Sequence, residues 1–235
     1  AAKIVLSYAT GSLQPGFDEL LEALRAVHAR GQQAAVHAIE ADAVLMACEA
    51  FRALGSAADI RAARHRIEHA AECPPEVARA IADCGAAVVT QPGFIHGRGD
   101  RYLAAEADGE SPAEELYAVR ALLEAGVPVA ASSDAPAGPL PPLLAISAAV
   151  TRRAASGRLV GPAQAVSVGE ALRLVGPAAA WAQREETVKG TLEAGKLADL
   201  VVLDSDLSAT RAGCLADLRV RATVIGGEIA WGALG

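Results

Sequence analysis

Five times along the 235-residue chain, a short run of apolar residues gives way to a longer stretch in which apolar positions recur every three or four residues. KIVLS (Lys3 to Ser7) precedes FDELLEALRAVHAR, where Leu20, Leu21, Leu24 and Val27 share a helical face and Gly31 supplies the stop. QAAVHA (Gln33 to Ala38) precedes ADAVLMACEAFRAL and Gly55. RHRIEHA ends its strand at His69, and Pro74 and Pro75 then open a helix through EVARAIADC to Gly85. AAVVTQ ends at Gln91 and leads into QPGFIHGRGDRYLAAEADGESP, read as irregular, ahead of the helix AEELYAVRALLEA and Gly126. VPVAASSD ends at Asp134, and the Pro-rich loop APAGPLPP leads into LLAISAAVTRRA.

Strand–helix repeats of roughly 20 to 40 residues imply parallel strands joined by right-handed crossovers. A doubly wound open sheet and part of a (β/α)₈ TIM barrel both satisfy that pattern. His37, His69, Gln91 and Asp134 fall at the carboxyl ends of successive strands, with Lys3 at the start of the first, which is how a barrel mouth is built. No GxGxxG or GxxxxGK[ST] follows any strand, which weighs against nucleotide binding on an open sheet. After residue 160, VSVGEALRLVG and PAAAWAQ read as two short helices. From Thr187 the chain becomes strand and turn, with Gly190, Gly195, Gly226 and Gly227 at the expected turns. The expected division is therefore a barrel portion, 1–186, and a β-rich segment, 187–235, too small to make a core alone.

Composition narrows the partners. A net charge of −7 with 3% aromatic residues gives neither the basic footprint nor the stacking surface of a nucleic-acid binder. No apolar run reaches the ~18 residues of a membrane span, and AAKIVLSYATGSLQPG lacks the pattern of a signal peptide, so a cytoplasmic chain is expected. Cys48, Cys73, Cys84 and Cys214 show no CxxC spacing and are expected to be reduced. Only Lys3, Lys189 and Lys196 among the basic residues are lysines, so each invites the question of why arginine was not used.

Two histidines and an aspartate on separate strand ends are a donor set for Zn²⁺, Mn²⁺ or Fe²⁺, and an ion with an open position lets a water ionise near neutral pH. Asp134 could take the water proton and return it to a leaving amine, or could cap the loop that follows it. His65 is expected to be structural and His28 to be exposed on its helix.

Taken together, VHAIEADAV, RHRIEHA, VVTQPGF, ASSDAP and GTLEAGKLADLVVLDSD resemble the amidohydrolase superfamily, in the branch often called amidohydrolase family 3. The resemblance covers nearly the whole chain. It implies that His37 and His69 are metal ligands of the fifth and sixth barrel strands. By the same resemblance, Asp134 is the eighth-strand aspartate that touches the metal and acts as base and then acid. Lys3 would lie on the fourth strand, where many members carry a carboxylated lysine bridging two metals, a role arginine cannot fill. Gln91 and the segment from Phe94 to Tyr102, with His96 and Arg98, would line the pocket of a small-molecule substrate.

Glu40-Ala41-Asp42 stands where many relatives have Gly-Asp, and no HxH motif occurs in the sequence. Strands four to eight of a barrel plus the C-terminal part of a small β-sandwich are thus the expected content. Such a portion should expose two sheet edges and an apolar interior, favouring an oligomer or a complementing N-terminal segment. The expected activity is metal-dependent hydrolysis of a non-peptide C–N bond. The rival readings are a non-catalytic fragment of such an enzyme and a metal-free, doubly wound binding domain.

Overall fold

The computed structural model describes residues 1–109 and 112–233. In chain order it contains β1 (Ala2–Val5), a hairpin of β2 (Ser7–Ala9) and β3 (Ser12–Gln14), α1 (Phe17–Ala29), β4 (Ala34–Ala38), α2 (Ala41–Leu54) and α3 (Ala57–Ala63). There follow β5 (Arg66–His69), α4 (Pro75–Cys84), β6 (Ala87–Thr90), α5 (Gly93–Ala107), α6 (Val119–Glu124), β7 (Val129–Ala131) and α7 (Pro142–Thr151). The chain ends with α8 (Val168–Val175), α9 (Pro177–Ala182), β8 (Leu200–Leu203), β9 (Val220–Ile225) and β10 (Glu228–Gly232).

The sheet order β1-β4-β5-β6-β7 is the chain order, and every pair is parallel. A doubly wound sheet reverses its order at a switch point and carries helices on both faces; this sheet does neither. Ile4, Val36, Ile67, Val88 and Val129 stand in one row across the strands. They pack with Leu20 and Leu24 of α1, Val44 and Phe51 of α2 and Ile81 of α4. The opposite face carries Lys3, Ala35, Arg66 and Ala87 in one row and Val5, His37, Glu68, Val89 and Ala130 in the next. That face mixes Lys3, Arg66, His37 and Glu68 with the apolar Val5, Val89, Ala35, Ala87 and Ala130. The architecture is a portion of a (β/α)₈ barrel, with α9 across the amino edge, where the Ala182 carbonyl accepts from Gln33 and Arg66.

Three local expectations give way. The loop after the first strand contains the β2–β3 hairpin, turning at Thr10 and Gly11, both with positive φ. The segment read as irregular forms α5; its Glu110 and Ser111 lie outside the described residues. Gly99 explains the misreading, because a Cβ there would sit 2.8 Å from the Ala154 Cβ and 2.9 Å from Val160. Glycine serves close approach in α5 rather than a turn. The helix expected over AEELYAVRALLEA splits into a 3₁₀ turn, Ala113–Glu115, and α6, interrupted by Tyr117 at φ +47°.

In the C-terminal segment, β8, β9 and β10 form an antiparallel sheet turning at Gly226 and Gly227. Between β8 and β9 a 3₁₀ turn inserts the fully buried Leu215 into the main core against α7. Leu234 and Gly235 of this segment lie outside the described residues. Among the described residues, no helix is long and apolar enough to cross a membrane.

Candidate active site

The carboxyl ends of β4 and β5 bring His37 and His69 together, with ring centroids 4.5 Å apart and planes at 77°. Regular strands would not do this. His69 pairs with Ala38, one position beyond His37, so in an unbroken pleat it would face the helices. His69 and Ala70 adopt φ of +79° and +45°, and this left-handed turn places the His69 ring beside His37 on the uncovered face.

The hydrogen bonds around His69 fix its tautomer. Gln91 Nε2 donates to the Val89 carbonyl at 3.3 Å and to Ser132 Oγ at 3.0 Å, which turns Oε1 toward His69. His69 Nδ1 therefore donates to Gln91 Oε1 at 2.7 Å, which leaves Nε2 as the nitrogen free of hydrogen bonds among the described residues. Ser132, which the sequence reading passed over, is thus the second support of the histidine. For the His37 ring no hydrogen bond is made among the described residues. Burial lowers its pKa first, with His69 and Lys3 adding to the effect and Asp134 opposing it. The lowered pKa favours the neutral His37 imidazole, the form that a divalent cation requires.

Lys3, His69, Gln91 and Asp134 line one cavity of about 180 Å³, together with Arg66, Glu68 and Ser132. Arg66 and Glu68 form an ion pair of 2.5 Å within it, and Arg66 also donates to Gln33 Oε1 at 2.7 Å. Neither was foreseen, although Glu68 shares a row with His37. Asp134 is exposed at φ +52°, and its backbone carbonyl accepts from Ala137 and Gly138. Lys3 is likewise exposed. Among the described residues no three His, Cys, Asp or Glu side chains are gathered tightly enough to hold a metal. The donor chemistry suits a divalent ion, with two imidazoles pre-placed and the carboxylate standing off.

The remaining candidates lie elsewhere. His96 is half-buried and lines a separate cavity of about 160 Å³ against Leu144, Ser147 and Thr151 of α7. Arg98 lines a third cavity at the carboxyl edge, donates to the Ala137 carbonyl at 3.1 Å and stacks on Phe94. Asp42, in the segment replacing Gly-Asp, accepts from the Tyr8 hydroxyl and from the Ala43 N–H. Cys48, Cys73 and Cys84 are buried and Cys214 exposed, all four free.

His28 corrects an expectation: it is half-buried, not exposed, and its Nδ1 lies 2.9 Å from His65 Nε2. His65 is fully buried, accepts from the Ala34 N–H at Nδ1 and stacks on Phe51.

Several known proteins resemble this chain in sequence or in structure. The N-substituted formamide deformylase of Arthrobacter pascens is 34% identical over 188 residues, which are 80% of this chain and 34% of that protein. An uncharacterized metal-dependent hydrolase from Pyrococcus horikoshii OT3 superposes with a TM-score of 0.72 at 24% identity, over 87% of this chain and 40% of that one. A second, from Pyrococcus furiosus, gives 0.65 at 29% identity, over 80% and 36%. The chain thus spans well under half the length of each of these relatives. Residues 5–230 match the sequence pattern of the amidohydrolase family, and the chain belongs to that family.

Proposed function

We propose that these residues serve metal-dependent hydrolysis of a non-peptide C–N bond in a small molecule: an amide, a formamide or a cyclic amide. The observation that carries the reading is the His37–His69 pair, two imidazoles in contact at the strand ends, one with its Nε2 freed by the bond from Nδ1 to Gln91. Likeness to a formamide deformylase supports the choice of bond. His37 and His69 would hold the ion, zinc first and manganese or iron as alternatives, with Asp134 and Lys3 as the further groups in reach. Carboxylation of Lys3 would turn it from a cation into a ligand. The ion, when bound, supplies a Lewis acid that lets a water lose its proton near neutral pH.

The protein's own groups then carry the proton. The Asp134 carboxylate takes it as the water oxygen adds to the carbonyl carbon, and gives it to the nitrogen as the C–N bond breaks. Gln91 and Ser132 keep the His69 ring in one orientation throughout.

Zinc titrated into chelator-treated protein tests this reading. One equivalent should bind per chain, and His37→Ala or His69→Ala should weaken binding at least 100-fold. Binding unchanged in both variants would overturn the assignment. Asp134→Asn should leave zinc bound while abolishing hydrolysis of formamide and cyclic-amide panels wherever the native chain shows it.

A further inference from the structure

Beside the histidine pair, and not including it, lies the cavity that Arg98 lines, of about 270 Å³. Ile39 and Ala71 form part of its wall, each two residues past one of the paired histidines, so the same strand ends build both sites. Leu116 and the buried Tyr117 add apolar and aromatic surface. That volume lies just below the ~300 Å³ at which pockets begin to admit drug-sized ligands, and suits a single ring or a compact branched group.

The charges on this cavity are unequal. Arg98 and Arg101 line it, are exposed, and form no ion pair among the described residues. Arg98 is held in place by the Ala137 carbonyl and by the Phe94 ring at 4.3 Å, which leaves part of its guanidinium fork free to donate. The one carboxylate on the wall, Glu72, accepts from the Ala41 N–H at 3.3 Å. Tyr102 and Tyr117 bring their hydroxyls within 3.4 Å of each other. Burial pushes the Tyr117 pKa up, so that hydroxyl stays protonated and able to donate.

The wall is also stiffened. Tyr117 sits at φ +47°, which a residue of its size adopts rarely. Arg152, fully buried at the end of α7, donates to the Leu116 carbonyl at 2.8 Å and the Tyr117 carbonyl at 3.1 Å. Its remaining bonds go to the Val160 and Gly161 carbonyls. A buried guanidinium bonded to carbonyls alone acts as a positioning residue for the Tyr117 segment.

We infer that this cavity receives the part of the substrate remote from the scissile bond, and that this part is a compact apolar or single-ring group ending in a carboxylate bound by Arg98 and Arg101. Its place next to a reacting bond rests on the hydrolase reading; its preference for an anion does not.

Calorimetric titration of the chelator-treated chain with 3-phenylpropionate, 3-phenylpropionamide and 2-phenylethylamine separates the two. The carboxylate should bind at least tenfold tighter than the amide or the amine. The double variant Arg98→Gln/Arg101→Gln, altered only at exposed positions, should lose that preference while binding the amide within twofold of the native chain. His69→Ala should leave all three affinities unchanged. Equal affinity for the three probes, no binding of any at millimolar concentration, or a preference that survives in the double variant would each overturn the inference. Failure of zinc binding with the anion preference intact would instead sink the hydrolase reading and leave the pocket standing.

Discussion

Two histidine pairs mark opposite ends of the same two strands, and they differ in how their nitrogens are used. At the amino edge, His65 accepts the Ala34 N–H at Nδ1 and donates from Nε2 to His28, so both of its ring nitrogens are bonded. The ring is fully buried and stacks on Phe51 with planes 7° apart. At the carboxyl edge, His69 uses only Nδ1, and among the described residues the His37 ring bonds to nothing. A buried ring with both nitrogens bonded, as in His65, contributes to folding. A pair with ring nitrogens left unbonded, one of them in a ring whose pKa burial lowers, is available for a ligand. Mere clustering of histidines therefore says little, and the hydrogen bonds around them decide which pair is a site.

Breaking the two pairs separately should give opposite results. His37→Ala/His69→Ala should abolish zinc binding seen by calorimetry, whereas His28→Ala should bind zinc as the native chain does. In urea, His65→Ala should lose about 3 kcal/mol, because it opens a cavity and leaves the Ala34 N–H without its acceptor. His69→Ala should lose about 1–2 kcal/mol, since it leaves the buried Gln91 Oε1 without its donor. Gln91→Leu should weaken zinc about tenfold through loss of the His69 orientation alone, with little change in the urea midpoint.

The same buried pair also shapes the pH dependence. Burial, then the neighbouring His28 and Arg184, lower the His65 pKa from 6.5 to about 4. Between those values the unfolded chain binds a proton that the folded chain does not, so stability falls as pH drops from about 6.5 to 4 and this contribution levels off below. His65→Phe should flatten that part of the curve in a urea series. An unaltered slope would contradict the assignment.

The strand–helix alternation was legible because each parallel strand buries a continuous apolar run on its helix side, as in Val36, Ile67 and Val88. The strand-end positions of His37, His69 and Asp134 followed from the same pattern. What was hidden depends on long-range geometry. The left-handed backbone at His69, without which it would face the helices, has no local sequence signal. The glycines of α5 imitate a loop, although Gly99 is required by Ala154 and Val160 more than 50 residues away. His28 reads as a surface residue until His65 is known to lie against it. That Lys3, Arg66 and Glu68 share the sheet face away from the helices was hidden, because alternation does not tell which side the helices will take.

Long-range ¹H–¹⁵N spectra of the histidine rings during zinc titration separate the two pairs, because they report tautomer and ligation for each ring at once. His69 should begin with a proton on Nδ1, the His37 and His69 nitrogens should shift on adding one equivalent of zinc, and those of His28, His65 and His96 should not. Zinc shifts at His28 or His65, or none at His37 and His69, would contradict it.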